Sequence, residues 1–204
     1  MLSVCYLFGQ AAKSLLRTKG IVSIGILTTL LTFFSFLAVN ASLFLNHWHG
    51  VMVTDLQSEI GFAQTAPLLA STIFKGMAFI LAAALLFATV GYLRRTFLQL
   101  AIMEKEEFFT MYLLGQSIPR IGIEFGLQAV YATVFFFSIG IGCANFLFHR
   151  FLMDAEKSGL FANIIPTFSP SWYSYFLLVF TSLLYIFART FLAVKKQFNK
   201  NTKE

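Results

Sequence analysis

The sequence predicts an all-α integral membrane protein with four transmembrane helices, an N-terminal amphipathic elbow helix and a short cytoplasmic helix. Of its 204 residues, 58% are hydrophobic and 12% are charged, whereas about a quarter of a soluble domain is charged. The apolar residues form long continuous blocks and do not alternate, so helices are the expected spanning form. The basic residues cluster at the ends of these blocks, as they do at membrane boundaries.

Four apolar blocks are each long enough to cross the hydrocarbon core, which takes about 20 residues. All belong to a single membrane domain, 1–204. The predicted spans are 21–46, 73–93, 119–148 (which starts with an amphipathic lead-in) and 172–194. The second span has an alternative, earlier start just after Pro67. The connecting segments are the outer loop 47–72, the cytoplasmic loop 94–118, the outer loop 149–171 and the basic tail 195–204.

Residues 1–20 are predicted to form the elbow helix along the inner membrane surface. Apolar residues recur in it at helical spacing, at Val4, Leu7, Ala11 and Leu15. Lys13 and Arg17 fall on the opposite face, so the helix is amphipathic and suited to the membrane interface. The alternative is a simple cytoplasmic extension of the first span.

The distribution of Lys and Arg predicts the orientation. Three of the 15, Lys75, Arg150 and Lys157, lie on one side of the predicted membrane and the remaining twelve lie on the other. The side rich in positive charge is expected to be cytoplasmic. We therefore expect a multi-pass protein of the cell (cytoplasmic or inner) membrane with both termini in the cytoplasm. The net charge of +6 is explained by this topology, so the expected partner is the lipid bilayer and not nucleic acid.

A short polar island separates the second and third apolar blocks. Its ionised residues are consecutive: Glu104, Lys105, Glu106 and Glu107. Apolar residues follow that could act as buried anchors: Phe108, Met111, Tyr112 and Leu113. Gly115 is expected to end a short helix with a positive φ, which a β-carbon would penalise. The alternative interpretation is a solvated loop whose charges keep it out of the bilayer.

The order of residues from Arg94 onward resembles the inner-loop signature of the FtsX-like (MacB-type) ABC transporter permeases. The positions that match are Glu107, Phe108, Leu114, Gly115, Ser117 and Glu124. The run from Lys13 to Lys19 before the first span, and the count of four spans, are also similar to that family. The family has a large extracytoplasmic domain between the first two spans, where this chain has only the segment 47–72. Gln116 stands where a small residue or Met is common.

The resemblance implies a permease subunit that works with a separate ABC ATPase subunit and with a second permease copy or a related permease. The short helix would then be a cytoplasmic coupling helix that docks on the ATPase. The docking residues implied are Glu104, Glu106, Glu107, Phe108, Met111, Tyr112, Leu114 and Gly115. ATP hydrolysis by the partner would drive peptide or lipid-side export, peptide resistance or mechanical signalling; the sequence does not identify the substrate. This chain has no P-loop, so it is expected to bind no cofactor and to be no enzyme.

A second hypothesis is a non-transporting four-helix membrane protein that binds a partner, such as an immunity or assembly factor. Catalysis has no support, because the sequence offers no Ser/His/Asp set, no paired intramembrane carboxylates and no His-Glu-x-x-His helix. His47 and His49, with His149 on the other outer loop, could be metal ligands. We favour interfacial polar residues beside Trp48 and expect no metal.

Small and polar residues within the spans predict how the helices pack. Two stripes of small residues are expected to be packing surfaces, within the subunit or at a dimer seam: Ala84, Ala88 and Gly91 in the second span, and Ser138, Gly140, Gly142 and Ala144 in the third. Polar groups in or near the spans are expected to face protein or a cavity: Gln128, Asn145 and Arg189. Arg189 is close enough to the inner end to snorkel.

Overall fold

The structure is a computed structural model, and it describes residues 21–58, 65–159, 164–169 and 172–201. Every regular element in these ranges is helical: α1 (Ile21–Ser58), α2 (Thr65–Met103), α3 (Lys105–Leu113), α4 (Ile118–Lys157), a 3₁₀ turn (Ile165–Thr167) and α5 (Trp172–Asn201). Four of these, α1, α2, α4 and α5, are long and apolar enough to cross a membrane. The all-α, multi-pass class predicted from the sequence is therefore confirmed. The predicted elbow helix, with Lys13 and Arg17, lies outside the described residues.

The long helices extend beyond the predicted spans. Helices α1, α2 and α4 have 38, 39 and 40 residues. At about 1.5 Å per residue each is nearly twice as long as a hydrocarbon core of about 30 Å. Helix α2 begins earlier than its predicted span, at Thr65. The C-terminal ends of α1, α2 and α4 continue into segments that were predicted as loops: 47–58, 94–103 and 149–157. These segments contain no proline, so nothing stops the helix where the apolar block ends.

The four long helices form a ring in the order α1, α2, α5, α4, with α1 and α4 on one side and α2 and α5 on the other. In α1, 39% of the most apolar stretch is buried, against 11% in α2. Most of α2 is therefore exposed, including Phe79, Ile80 and Phe87. In a membrane these side chains would contact lipid. Lipid tails are as apolar as the side chains, so this exposure carries no hydrophobic cost.

Glycines let neighbouring helices approach closely, because a glycine leaves space where a β-carbon would be and a phenylalanine ring of the neighbouring helix fills that space. On α4, Gly122 and Gly126 lie under the rings of Phe191 and Phe187 of α5, and a β-carbon at Gly126 would come within 2.8 Å of the Phe187 ring. Gly25 of α1 receives the ring of Phe136 in the same way. The sequence analysis did not identify these glycines, because the ring that fills each space belongs to another helix.

Of the two small-residue stripes, only part of one packs inside the chain. Gly140 is buried against α1, where a β-carbon would lie 2.9 Å from the carbonyl oxygen of Thr29 and 2.8 Å from the Thr32 side chain. Ala144 is also fully buried. The stripe on α2, Ala84, Ala88 and Gly91, is exposed and contributes no close packing within the described chain.

Hydrogen bonds between side chains join α1 to each of the other long helices. Asn40 donates its amide to Asn145 of α4 at 2.8 Å, and its side-chain oxygen accepts a hydrogen bond from the Tyr175 hydroxyl of α5. Ser35 and Thr89 of α2 share a hydrogen bond of 2.8 Å. Such bonds within membranes contribute about 0.6 kcal/mol each on average. Asn145 therefore faces protein, as the sequence analysis expected of polar groups in the spans.

Gly140→Ala should destabilise the bundle, whereas Gly142→Ala on the same helix should not. The added methyl at 140 meets the Thr29 carbonyl, which cannot move without displacing the α1 backbone, and overpacking of this kind costs about 1–3 kcal/mol. Position 142 is exposed with nothing within 4 Å, so alanine there gains helix propensity at no steric cost. Thermal denaturation of both variants in a mild detergent measures the difference, and equal melting temperatures would contradict the close α1–α4 contact.

Candidate docking site at helix α3

Helix α3 is a short helix set between the ends of two spanning helices. Glu104 is the single residue that separates it from α2, and the Glu104 carbonyl accepts a hydrogen bond from the Phe108 amide at 3.0 Å. Glu106 and Glu107 occupy its first turn, where the positive end of the helix dipole stabilises carboxylates. The two carboxylates of the polar island therefore also stabilise the N-terminal end of α3.

The C-terminal end of α3 is fixed by Gly115. This residue has a φ of +90°, which confirms the expected positive φ. The Gly115 amide donates to the Tyr112 carbonyl at 3.0 Å and the Gln116 amide donates to the Met111 carbonyl at 3.1 Å. This pair of bonds is the Schellman motif, and it satisfies carbonyls that the helix end would leave unpaired. The chain then turns directly into α4 at Ser117.

One face of α3 is buried against the bundle. Phe108 is 4% exposed, and its ring meets that of Phe125 on α4 edge-on with 5.2 Å between centroids. Met111 packs against the same core. The sequence analysis assigned Phe108 to docking, but in the structure this ring is used inside the chain, because a helix this short needs a buried anchor to stay in place. Phe108 therefore positions the site and is not accessible to a partner.

Tyr112 connects α3 to the end of α5. Its ring lies 5.6 Å from that of Phe198, which is itself buried. Tyr112 remains 44% exposed, so part of it is available at the surface. Helix α3 is thus held by α4 through Phe108 and by α5 through Tyr112.

The opposite face of α3 is apolar and exposed. Phe109 is 46%, Leu113 is 69% and Leu114 is 81% exposed. These residues form a surface that we call the α3 face; the exposed part of Tyr112 lies at its edge, and the exposed carboxylates of Glu106 and Glu107 lie at its N-terminal end. The sequence analysis missed Phe109, although its spacing of four from Leu113 places both on one side of a helix. Glu104 is half-buried.

The positive charges of the described chain gather at this end of the bundle. Arg94, Arg95, Lys105, Arg120, Arg189, Lys195 and Lys196 belong to α3 or to the parts of the long helices that lead to it. Lys75, Arg150 and Lys157 belong to the other end. The acidic residues of α3 therefore lie among basic residues, and they give the α3 face a local negative charge.

Glu124 is a buried carboxylate behind α3. It is 6% exposed, and its Oε2 atom has no hydrogen-bond partner in the described chain. Arg120 and Glu107 are the charged groups close enough to act on it. A buried carboxyl oxygen without a hydrogen-bond partner costs free energy, because the water that it loses is not replaced. Glu124 was one of the positions that carried the family resemblance.

The histidines do not form a shared site. His47 shares a hydrogen bond of 3.0 Å with Thr167, and His49 shares one of 2.9 Å with Ser71 of α2. Within the described ranges, no three His, Cys, Asp or Glu side chains come together as a set of metal ligands. His47 is thus bonded to the 3₁₀ turn and His49 to α2.

Phe108→Ala and Phe109→Ala form a matched pair that tests the orientation of α3. Loss of the buried Phe108 ring leaves a cavity, and Phe→Ala changes in cores cost about 3–5 kcal/mol. Loss of the exposed Phe109 ring should change stability by less than about 0.5 kcal/mol. Thermal denaturation in detergent, with retention of monodisperse protein as a second readout, checks both. A larger loss for Phe109→Ala than for Phe108→Ala would mean that the buried and exposed faces are reversed.

Comparison of this chain with known protein families, with curated proteins and with solved structures finds no match.

Proposed function

We propose that this protein is the permease subunit of an FtsX-like ABC transporter, in which α3 is the coupling helix that docks a separate ATPase subunit. The observation that carries the proposal is that α3 has two distinct faces. Phe108 fixes one face in the bundle, while the α3 face on the other side presents apolar side chains to the surroundings. This is the construction expected of a docking element that must transmit force without detaching from its own chain.

The α3 face has the composition of a protein-binding surface. Phe109 and Tyr112 supply aromatic anchors, and Leu113 and Leu114 are the most exposed apolar residues beside them. Aromatic anchors that fill pockets in a partner usually dominate the binding energy of an interface. Glu106 and Glu107 would meet basic residues on the ATPase, and rim charges of this kind mainly set the rate and orientation of association.

Movement of α3 would reach three of the four long helices. It is joined to α2 through Glu104, it packs on α4 through Phe108, and it contacts α5 through Tyr112. ATP-driven closure of two ATPase subunits, one for each permease of a dimer, would therefore tilt or shift α2, α4 and α5 together. The partner binds the ATP, and this chain supplies the mechanical linkage.

The interior of the bundle favours a mechanical or lipid-side task over conduction of a polar solute. Asn40 is hydrogen-bonded both to Asn145 and to Tyr175, and Ser35 is hydrogen-bonded to Thr89. These polar groups therefore hold helices together and are not available to line a hydrated path. Peptide resistance, export of a membrane-embedded substrate and mechanical signalling all remain compatible with this arrangement.

The same hydrogen bonds favour a second candidate, a static membrane protein that binds a partner without transport. Bonds that tie α1 to α2, α4 and α5 would suit a bundle that keeps one shape. The two candidates differ in the partner, because only the first requires an ATPase at the α3 face.

Purification of tagged protein from its native membranes in a mild detergent tests the docking proposal. We expect an ATP-binding subunit, identified by mass spectrometry and by its ATPase activity, to co-purify in a stoichiometric amount. Leu113→Ser should weaken this association by roughly 30-fold, since loss of a binding anchor costs about 2 kcal/mol. Met153→Ser is the matched control, because Met153 is also exposed and lies toward the other end of α4.

Glu106→Arg with Glu107→Arg should slow association with the ATPase more than it speeds dissociation, because exposed charges act mainly on the encounter. The absence of an ATPase from the wild-type preparation would contradict the permease proposal and leave the partner-binding candidate. An ATPase that binds the Leu113→Ser and Met153→Ser proteins equally well would contradict docking at the α3 face.

The orientation is tested by cysteine labelling of intact cells. In a background with Cys5→Ser and Cys143→Ser, Lys157→Cys should react with a membrane-impermeant maleimide. Lys105→Cys should react only after the membrane is permeabilised, since α3 must face the cytoplasm to meet an ATPase. The reverse pattern would place α3 outside the cell and would contradict the proposal.

A further inference from the structure

A groove of about 720 Å³ lies along the membrane-facing side of the bundle, between α2 and α5 with α1 contributing to its wall. Its lining is mostly aliphatic and aromatic and includes Val39, Leu43, Phe79, Leu86 and Leu178. Its volume falls within the range of about 300–1,000 Å³ that is usual for small-molecule sites. The groove is therefore large enough to hold a ligand that is itself apolar.

Two hydroxyl groups of the α5 wall, those of Thr181 and Ser182, add little polarity to the groove. Thr181 donates to the Leu177 carbonyl and Ser182 donates to the Leu178 carbonyl, both at 2.8 Å. Each hydroxyl hydrogen is thus used within its own helix. An apolar chain could therefore lie against these two residues without leaving their hydroxyl groups unpaired.

Two arginines converge at one end of the groove. Arg94 and Tyr185 both line it, and the Arg189 guanidinium lies over the Tyr185 ring, 5.5 Å from its centroid. Arg94 and Arg189 are both close enough to act on the Tyr185 hydroxyl. Both are exposed, and neither belongs to an ion pair within the described residues. An apolar groove therefore ends at two positive charges that no carboxylate of the described chain neutralises.

The dimensions suit a lipid chain. From Phe79 to Arg94 the helix α2 rises about 22 Å, at 1.5 Å per residue. One leaflet of the hydrocarbon core is about 15 Å thick. A lipid whose headgroup lies beside Arg94 could therefore extend an acyl chain along the groove past the middle of the bilayer.

We propose that this groove binds one anionic phospholipid, with an acyl chain between α2 and α5 and the headgroup held by Arg94 and Arg189. Guanidinium groups bind phosphate oxygens in a bidentate manner and are weakly hydrated. Basic pockets between transmembrane helices are suited to anionic headgroups for this reason. The inference uses neither the docking role of α3 nor the identity of any partner, so it stands or falls independently of the proposed function.

A second copy of the chain is a poorer occupant than a lipid. In a two-fold symmetric dimer formed through this groove, the same patch would serve on both subunits. Arg94 and Arg189 would then bring four positive charges to one seam, and like charges placed together oppose association. A lipid headgroup supplies the missing negative charge.

The headgroup contact is tested by native mass spectrometry of delipidated protein titrated with phosphatidylglycerol or phosphatidylcholine of the same chain length. We expect one phosphatidylglycerol to bind at a concentration about tenfold lower than phosphatidylcholine. Arg94→Gln with Arg189→Gln should abolish this preference. Arg150→Gln is the control, because Arg150 is also exposed and also lies near an aromatic ring, that of Phe146, but toward the other end of the bundle.

The acyl-chain contact is tested by filling the groove. Gly91 lines it and has nothing within 4 Å of a β-carbon, and Gly142 on α4 is equally open but lies outside the groove. Gly91→Leu should weaken binding of phosphatidylglycerol about tenfold, while Gly142→Leu should leave it unchanged. Both positions are exposed, so the bundle should retain its melting temperature.

Three results would overturn the proposal. The first is equal binding of the two lipids by the wild-type protein, which would indicate unselective lipid contact. The second is an unchanged preference in the double arginine variant. The third is efficient disulfide cross-linking of two Gly91→Cys chains in native membranes, which would show that a second copy occupies the groove.

Discussion

The bundle depends on the contacts of α1, which touches or hydrogen-bonds to every other long helix. Lipid tails are as apolar as leucine, so the helices gain little from the hydrophobic effect when they associate, and close packing with hydrogen bonds must hold them together. Helix α1 supplies both. Its backbone approaches Gly140 of α4 closely, and Asn40 and Ser35 bond to side chains on α4, α5 and α2. The open groove between α2 and α5 follows from this central position.

Because α1 takes up much of the packing of α2, the surface between α2 and α5 is left open. Phenylalanine rings that lie on glycines bring α4 and α5 together at Gly122 and Gly126, but α2 has no comparable glycine contact with α5 among the described residues. Gly91, on the open side of α2, lines the groove, and a β-carbon added there would have no atom of a neighbouring element within 4 Å. Of the small residues in the α2 stripe, Gly91 therefore lines the open groove, while Ala84 and Ala88 are exposed outside its lining.

Adjacent residues in the α3 region have different structural roles. Phe108 stabilises the position of the helix, Phe109 remains at the surface, and Gly115 turns the chain into α4 with a φ that other residues rarely adopt. Glu124 lies behind them as a buried carboxylate with an unpaired oxygen.

The sequence by itself determined the membrane class, the number of long apolar helices, the short helix after Glu104 and the positive φ of Gly115. These follow from local properties: length, hydrophobicity and the cost of a β-carbon in a left-handed turn. The C-terminal ends of α1, α2 and α4 were predicted too early. A change from apolar to polar residues marks where a helix leaves the membrane, and the helix itself can continue beyond that point. Only the tertiary structure decided that Phe108 is buried while Phe109 is exposed, that Asn40 meets Tyr175, and that Arg94 lies at the end of an open groove. Each of these depends on which residue a neighbouring helix brings to the contact, and a single sequence carries no direct record of that pairing.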